Sequence, residues 1–263
     1  MNNTQIALIT GSYSGIGVAL VKQLAAKNID LIFLNRNDAK TTAQIAELAI
    51  QFPNIQIDYE IADFGDQEAV TQAAIRIAGK HRAIHFVYLN AGWIGTQYQN
   101  SAQGHDMNFQ VNVLANYVLL QLLRPSLSRG HAHIVASGSG ARQMVKTKDL
   151  DLVLNKAKRA GMGAYAQSKQ ALVDLFIGMG AEFGAENITL NVVDLPPTKT
   201  AMAKNQAIPG IMRLFSFLFA TPEKAAGKLM AAAQSRSVRS AAGKAPDEEQ
   251  MQLLSEVREL TGL

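Results

Sequence analysis

An alternation constrains this chain more than any other feature. Six short apolar runs, QIALIT (5–10), IDLIFLN (29–35), IQIDYEIA (55–62), IHFVYLNA (84–91), AHIVAS (132–137) and ITLNVVD (188–194), are separated by longer segments of helical periodicity. The separators include VALVKQLAAKN, ending at Asn28, and KTTAQIAELAIQF, which stops before Pro53. DQEAVTQAAIRIAGK (66–80) follows, then an amphipathic stretch over 103–124 with Pro125 toward its end. Runs this apolar leave no polar face for water, so the strands are expected to be covered on both sides. Strand–helix–strand units of this length then give a parallel sheet. A helix opened by Tyr165, helical segments at 201–235 and 247–260, and a weak last strand in VRSAAG (238–243) complete the expected order.

The chain has 263 residues, 48% of them hydrophobic, which suits one large α/β unit and excludes disorder. No linker, repeat or low-complexity tract divides it. The formal net charge is only +4. Lys146, Lys148, Lys156, Lys158 and Arg159 cluster, but Asp149 and Asp151 sit among them without interleaved aromatics. A solvated face or an anionic-ligand site fits better than a nucleic-acid surface. With no cysteine, thiolate metal sites and disulfides are excluded. His131 and His133 are spaced to share one face of a strand, lack a third ligand, and read as structural. The start, MNNTQIALITG, lacks a basic, apolar leader pattern, and no run reaches the ~18–20 apolar residues of a membrane span. The expectation is a soluble cytoplasmic protein.

The first run enters TGSYSGIG, with Gly11, Ser14, Gly15, Ile16 and Gly17 at a strand-to-helix turn. Glycines there allow a tight turn and close backbone approach, and the helix N-terminus offers free N–H groups to phosphates. The spacing G-x-x-x-G-x-G in this context points to a dinucleotide. At the end of the second strand an acid would bond a ribose 2′-hydroxyl, but here neutral Asn35 precedes Arg36. A guanidinium suits a 2′-phosphate, so NADP(H) is favoured over NAD(H). These features make the expected fold a single-domain, doubly wound Rossmann α/β sheet of about seven mostly parallel strands. Its nucleotide half is about 1–130 and its catalytic and substrate half about 131–263.

In GAYAQSKQALVDLF (163–176), Tyr165 and Lys169 lie four apart and therefore on one helix face. An ammonium beside a phenol lowers its pKa from near 10, toward a value usable by a general acid and base.

In combination these motifs resemble the short-chain dehydrogenase/reductase family along nearly the whole chain. The glycine motif looks like Thr10-Gly11-x-x-x-Gly15-x-Gly17, the acid after the third strand like Asp63, and the Asn-Ala-Gly segment like Asn90-Ala91-Gly92. Asn112 in FQVNVLANY matches the helical asparagine, Ser139 in HIVASGSG the catalytic serine (Ser137 second), and Tyr165 with Lys169 the Tyr-x-x-x-Lys pair. The resemblance implies an oxidoreductase that interconverts an alcohol and a ketone or aldehyde. Ser139 would hold the carbonyl oxygen, Tyr165 exchange the proton, Lys169 bond the nicotinamide ribose, and Asn112 hold a relay water. A non-catalytic nucleotide sensor with the same fold is the alternative.

Several positions depart from the pattern. Leu195-Pro196 stands where Pro-Gly is usual, with Thr200 or Thr198 as the cofactor-facing threonine; Pro196 itself joins the expected cofactor wall. Ala136 replaces a frequent Asn, and the stretch from Ser139 to Tyr165 is longer than usual. That insert, with RLFSFLFATPEKAA (213–226) and the ending LLSEVRELTGL, looks like the retinol-dehydrogenase-related branch. AIPGIMRLFSFLF (207–219), within a segment 201–220, reads equally as a lid or as a helix packed on the core or a second subunit. As a lid it implies an apolar substrate, with Trp93 and Tyr98 on the opposite wall. The family resemblance also implies a homodimer or homotetramer paired through helices near 103–124 and 165–184, whose apolar faces equally read as core.

Overall fold

A computed structural model describes residues 4–13, 15–146, 160–199, 219–234 and 245–263. Its strands are β1 (Ile6–Thr10), β2 (Asp30–Asn35), β3 (Ile57–Ile61), β4 (Phe86–Leu89), β5 (His133–Ser139) and β6 (Thr189–Leu195). They form one parallel sheet in the order β3-β2-β1-β4-β5-β6. Among the described residues the sheet therefore has six strands, and the expected seventh in VRSAAG lies outside them. The order reverses between β1 and β4, which opens a crevice at their carboxyl ends, the place where such sheets bind ligands.

The helices are α1 (Ile16–Ala25), α2 (Asp38–Gln51), α3 (Gln67–Lys80), α4 (Met107–Phe109), α5 (Ala115–Gly130), α6 (Gly161–Ala185), α7 (Pro222–Gln234) and α8 (Glu248–Thr261). Side chains alternate across each strand. Leu8, Ile32, Val87 and Ile134 therefore meet Ala73, Tyr117, Phe176 and Leu254 on one face. Ile9, Phe33, Tyr88 and Val135 meet Leu20, Leu24, Ala226 and Leu229 on the other. Local signals start the helices. The Asn37 side chain accepts from Lys40 N–H, that of Asp66 from Glu68 N–H, and Asp247 with Gln250 forms a capping box.

The stretch expected as one helix over 103–124 has three parts. A π-helical turn, Gln110–Leu114, joins α4 to α5, and α5 continues past Pro125 to Gly130. Ser126 and Leu127, beyond the proline, are buried, and Ser126 Oγ donates to His81 O at 2.8 Å, so tertiary anchoring overrides the local breaker. The apolar faces of α5 and α6 are core: α8 lies against α6, its Leu253, Leu254 and Val257 joining the same hydrophobic cluster, and Tyr117 Oη of α5 donates to Leu263 O. His131 caps α5 in the left-handed region instead of sharing a strand with His133. No helix among the described residues is long and apolar enough to cross a membrane.

Candidate active site

Gly11 leaves β1 at φ +69°, a backbone region that favours glycine, and a Cβ on Gly17 would lie 2.2 Å from Gly11 O. The turn therefore closes only because two positions lack side chains. Its outer wall is tied to β4: Asn90 N–H and Ala91 N–H both donate to Thr10 Oγ1, at 3.0 and 2.9 Å. Asn90 Nδ2 donates to the carbonyls of Thr10 and Gly11, at 3.3 and 3.1 Å. Behind the turn, α1 has Gly15 at its cap position, with no capping side chain among the described residues and no acid in its first turn. Its N–H groups and positive dipole end are left for an anion.

Asn35, at the end of β2, is 2% exposed and fully engaged. Its Oδ1 accepts from Ser12 N–H at 2.9 Å, and its Nδ2 donates to Ser12 Oγ and Thr41 Oγ1 at 2.8 and 3.0 Å. This side chain shapes the turn instead of reaching outward. Arg36 beside it is exposed, with its guanidinium 4.0 Å from Asp63. Lys40 and Tyr13, neither anticipated, flank the same end of the cavity, the ammonium 5.9 Å from the ring centroid. Lys40 stands in the first turn of the helix capped by Asn37, next to the loop that carries Arg36, and that cap signal could have revealed it.

The crevice opens into a cavity of about 940 Å³ lined by Gly11, Gly15, Ile16, Asn35, Arg36, Asp63, Asn90, Ala91 and Gly92 at one end. At the other are Ser137, Ser139, Tyr165, Lys169, Pro196 and Thr198. Trp93, Ile94, Val111, Met144, Met162 and Phe219 give this second end an apolar wall. Gly17 and Tyr98 are not among the lining residues. Ser14, Thr200 and the expected lid, apart from Phe219, lie outside the described residues. So do the basic residues Lys148, Lys156, Lys158 and Arg159.

Ser139 ends β5 and caps the 3₁₀ turn Gly140–Met144, its Oγ accepting from Ala141 N–H at 3.2 Å. That bond uses a lone pair and leaves the hydroxyl proton free to be donated. α6 begins one turn earlier than expected, at Gly161, whose N–H donates to Gly95 O at 2.9 Å. It carries Tyr165 and buried Lys169, with the ammonium 5.8 Å from the phenol ring centroid and donating to Ser137 O at 2.9 Å. Burial lowers the Lys169 pKa to about 8. For Tyr165 the shift differs from expectation. Burial raises the phenol, and hydrogen bonding with Ser139 opposes it. Desolvation of the phenol outweighs that bond.

Asn112 does not line the cavity. It sits in the π turn, where its Oδ1 accepts from Trp93 N–H and its Nδ2 donates to Trp93 O and Ser168 Oγ, all within 2.9–3.0 Å. Its own carbonyl accepts from Asn116 Nδ2 at 2.9 Å. The side chain thus fixes the Trp93 wall to α6.

Comparisons with known proteins agree with this fold. The family described as short chain dehydrogenase matches residues 5–208. The chain is 27% identical to human polyprenol dehydrogenase over 76% of its own length and 63% of that relative's, so less than two thirds of the relative is spanned. It is 24% identical to human retinol dehydrogenase 12, with 81% of this chain and 67% of that protein covered. A solved short chain dehydrogenase from Burkholderia cenocepacia in complex with NADP superposes with a TM-score of 0.72. It shares 25% identity, with 89% of this chain and 93% of that one covered.

Proposed function

From the premise that the chain belongs to the short-chain dehydrogenase family, as the match over residues 5–208 shows, we propose that it is an NADP(H)-dependent oxidoreductase interconverting an alcohol and a ketone or aldehyde. The observation that carries this reading is one continuous cavity, with the glycine turn at one end and Ser139, Tyr165 and Lys169 at the other.

The residues present fit a dinucleotide. The uncapped start of α1 suits a pyrophosphate. Arg36, with Lys40 nearby, suits a ribose 2′-phosphate, while Asp63 lines the same end. NADP in the Burkholderia relative supports the same choice. When bound, a nicotinamide supplies or accepts the hydride. Ser139 then donates a hydrogen bond to the substrate oxygen, keeping its own proton, and holds that oxygen beside Tyr165. Tyr165 gives its proton to that oxygen in reduction and takes one in oxidation. Its raised pKa keeps the phenol protonated at neutrality, the form that carbonyl reduction needs. Lys169 supplies positive charge behind the phenol and a donor within reach of a ribose.

The apolar wall from Trp93 to Phe219 favours a substrate with an apolar carbon skeleton. Two relatives are named for apolar alcohols, polyprenol and retinol. Tyr165→Phe tests the reading. Turnover of long-chain and isoprenoid aldehydes should fall by roughly two to four orders of magnitude, the usual worth of a general acid. NADPH binding, followed by quenching of the single tryptophan, should persist. Full activity in the variant would refute Tyr165 as the acid. Tight NADPH binding with no turnover of any carbonyl would favour the nucleotide-sensor alternative.

A further inference from the structure

Resting on the assignment of Ser139 to the substrate oxygen, we infer that Arg142 and Asp194 form a positioning bridge that aims Ser139 at Tyr165. The two residues lie 52 positions apart. β5 and β6 pair in register so that Gly138 faces Asp194 and Ser139 faces Leu195. A Cβ on Gly138 would come within 2.7 Å of Asp194 Oδ1, so the carboxylate occupies the space a side chain would fill. From there it meets the Arg142 guanidinium, with Nε 2.9 and 2.8 Å from its two oxygens and Nη2 2.7 Å from Oδ2.

Arg142 belongs to the single 3₁₀ turn that Ser139 caps, so fixing the guanidinium fixes the turn and the hydroxyl that opens it. A planar fork on a carboxylate restrains direction as well as distance. The remaining terminal nitrogen, Nη1, reaches Gln170 Oε1 at 3.5 Å, on the residue after Lys169. One guanidinium therefore touches the end of β6 and α6 while standing in the serine's own turn. Neither Arg142 nor Asp194 lines the cavity, so the bridge acts through Ser139 and not on a ligand.

The experiment uses full-length protein labelled with 13Cζ-tyrosine. The Tyr165 resonance, identified by its loss in Tyr165→Phe, is titrated with pH in wild type, Ser139→Ala, Arg142→Lys and Asp194→Asn. This readout needs no turnover, so failure of the oxidoreductase reading leaves it intact. Hydrogen bonding with Ser139 opposes the upward shift of the phenol, and losing its alignment should move the Tyr165 titration to higher pH than in wild type. The expected order has Asp194→Asn close to Ser139→Ala, and Arg142→Lys between them and wild type, since lysine keeps the charge but not the fork. Asp194→Asn preserves shape, and a thermal melt checks its folding. A Tyr165 titration unchanged in folded Asp194→Asn would overturn the proposal, whether or not Ser139→Ala moves it. As a second readout, NADPH binding should stay within about twofold of wild type, because the bridge lies off the cavity. A parallel loss of binding in both bridge variants would assign the pair to the cofactor wall instead.

Discussion

Asn35→Ala is the substitution whose cost can be worked most directly from the structure. The side chain is buried and makes three hydrogen bonds, two to Ser12 and one to Thr41. Each contributes about 0.5–1.5 kcal/mol net, and Ser12 N–H would be left buried without its partner. The expected loss is roughly 2–4 kcal/mol, which for a chain of this size lowers Tm by about 5–15 °C. Because Ser12 follows Gly11 in the glycine turn, NADPH affinity should fall as well, by about tenfold or more. Urea unfolding monitored by circular dichroism gives the stability, and tryptophan quenching gives the affinity. Asn35→Asp sharpens the test. It keeps the acceptor for Ser12 N–H but loses the donor and buries a charge, so it should destabilise without creating NADH preference. A stability loss below about 1 kcal/mol in Asn35→Ala would refute the view that this side chain builds the turn.

Other outcomes follow from the same geometry. Arg36→Ala with Lys40→Ala should weaken NADPH binding by about ten- to a hundredfold while leaving NADH nearly unchanged, measured by paired titrations; equal losses for both cofactors would remove the 2′-phosphate site. Stability should decline as pH falls below about 6.5, the unfolded histidine value, because burial and His131 lower the folded pKa of His85, which accepts from Ile6 N–H at 3.0 Å. The unfolded chain binds the proton more readily there, so His85→Gln should flatten that limb of the urea midpoint against pH, and an unchanged limb would assign the loss elsewhere. Leu254→Ala should cost about 2–5 kcal/mol, as a core leucine packed on α6 does; a cost below about 1 kcal/mol would mean that α8 is not part of the core.

Much of the architecture was legible before any coordinates. Buried strands carry near-continuous apolar runs, and a strand-to-helix turn that approaches itself closely needs glycine at Gly11 and Gly17. Tyr165 and Lys169 were readable as a pair because helical spacing is a local property. Pro125 misled locally: proline weakens a helix, yet the burial of Ser126 and Leu127 holds α5 together beyond it.

Side-chain partners were less legible, because a polar residue's type does not reveal which way it faces. Asn35, Asn90 and Asn112 were read as cofactor or proton-relay groups, and the sequence did not show the hydrogen bonds that each also makes to the protein's own turns and wall. The phenol's upward shift was hidden too, since spacing shows that Lys169 is near but not how dry the site is. Hydrophobic periodicity and glycine placement by themselves determined a parallel, doubly wound sheet and the end of it where the cavity opens, because both are properties of neighbouring residues. Only the tertiary structure decided what each polar group serves. The partners of Asn112, Arg142 and Asp194 come from distant parts of the chain, and burial, which sets their hydrogen bonds and charges, exists only once the chain is packed.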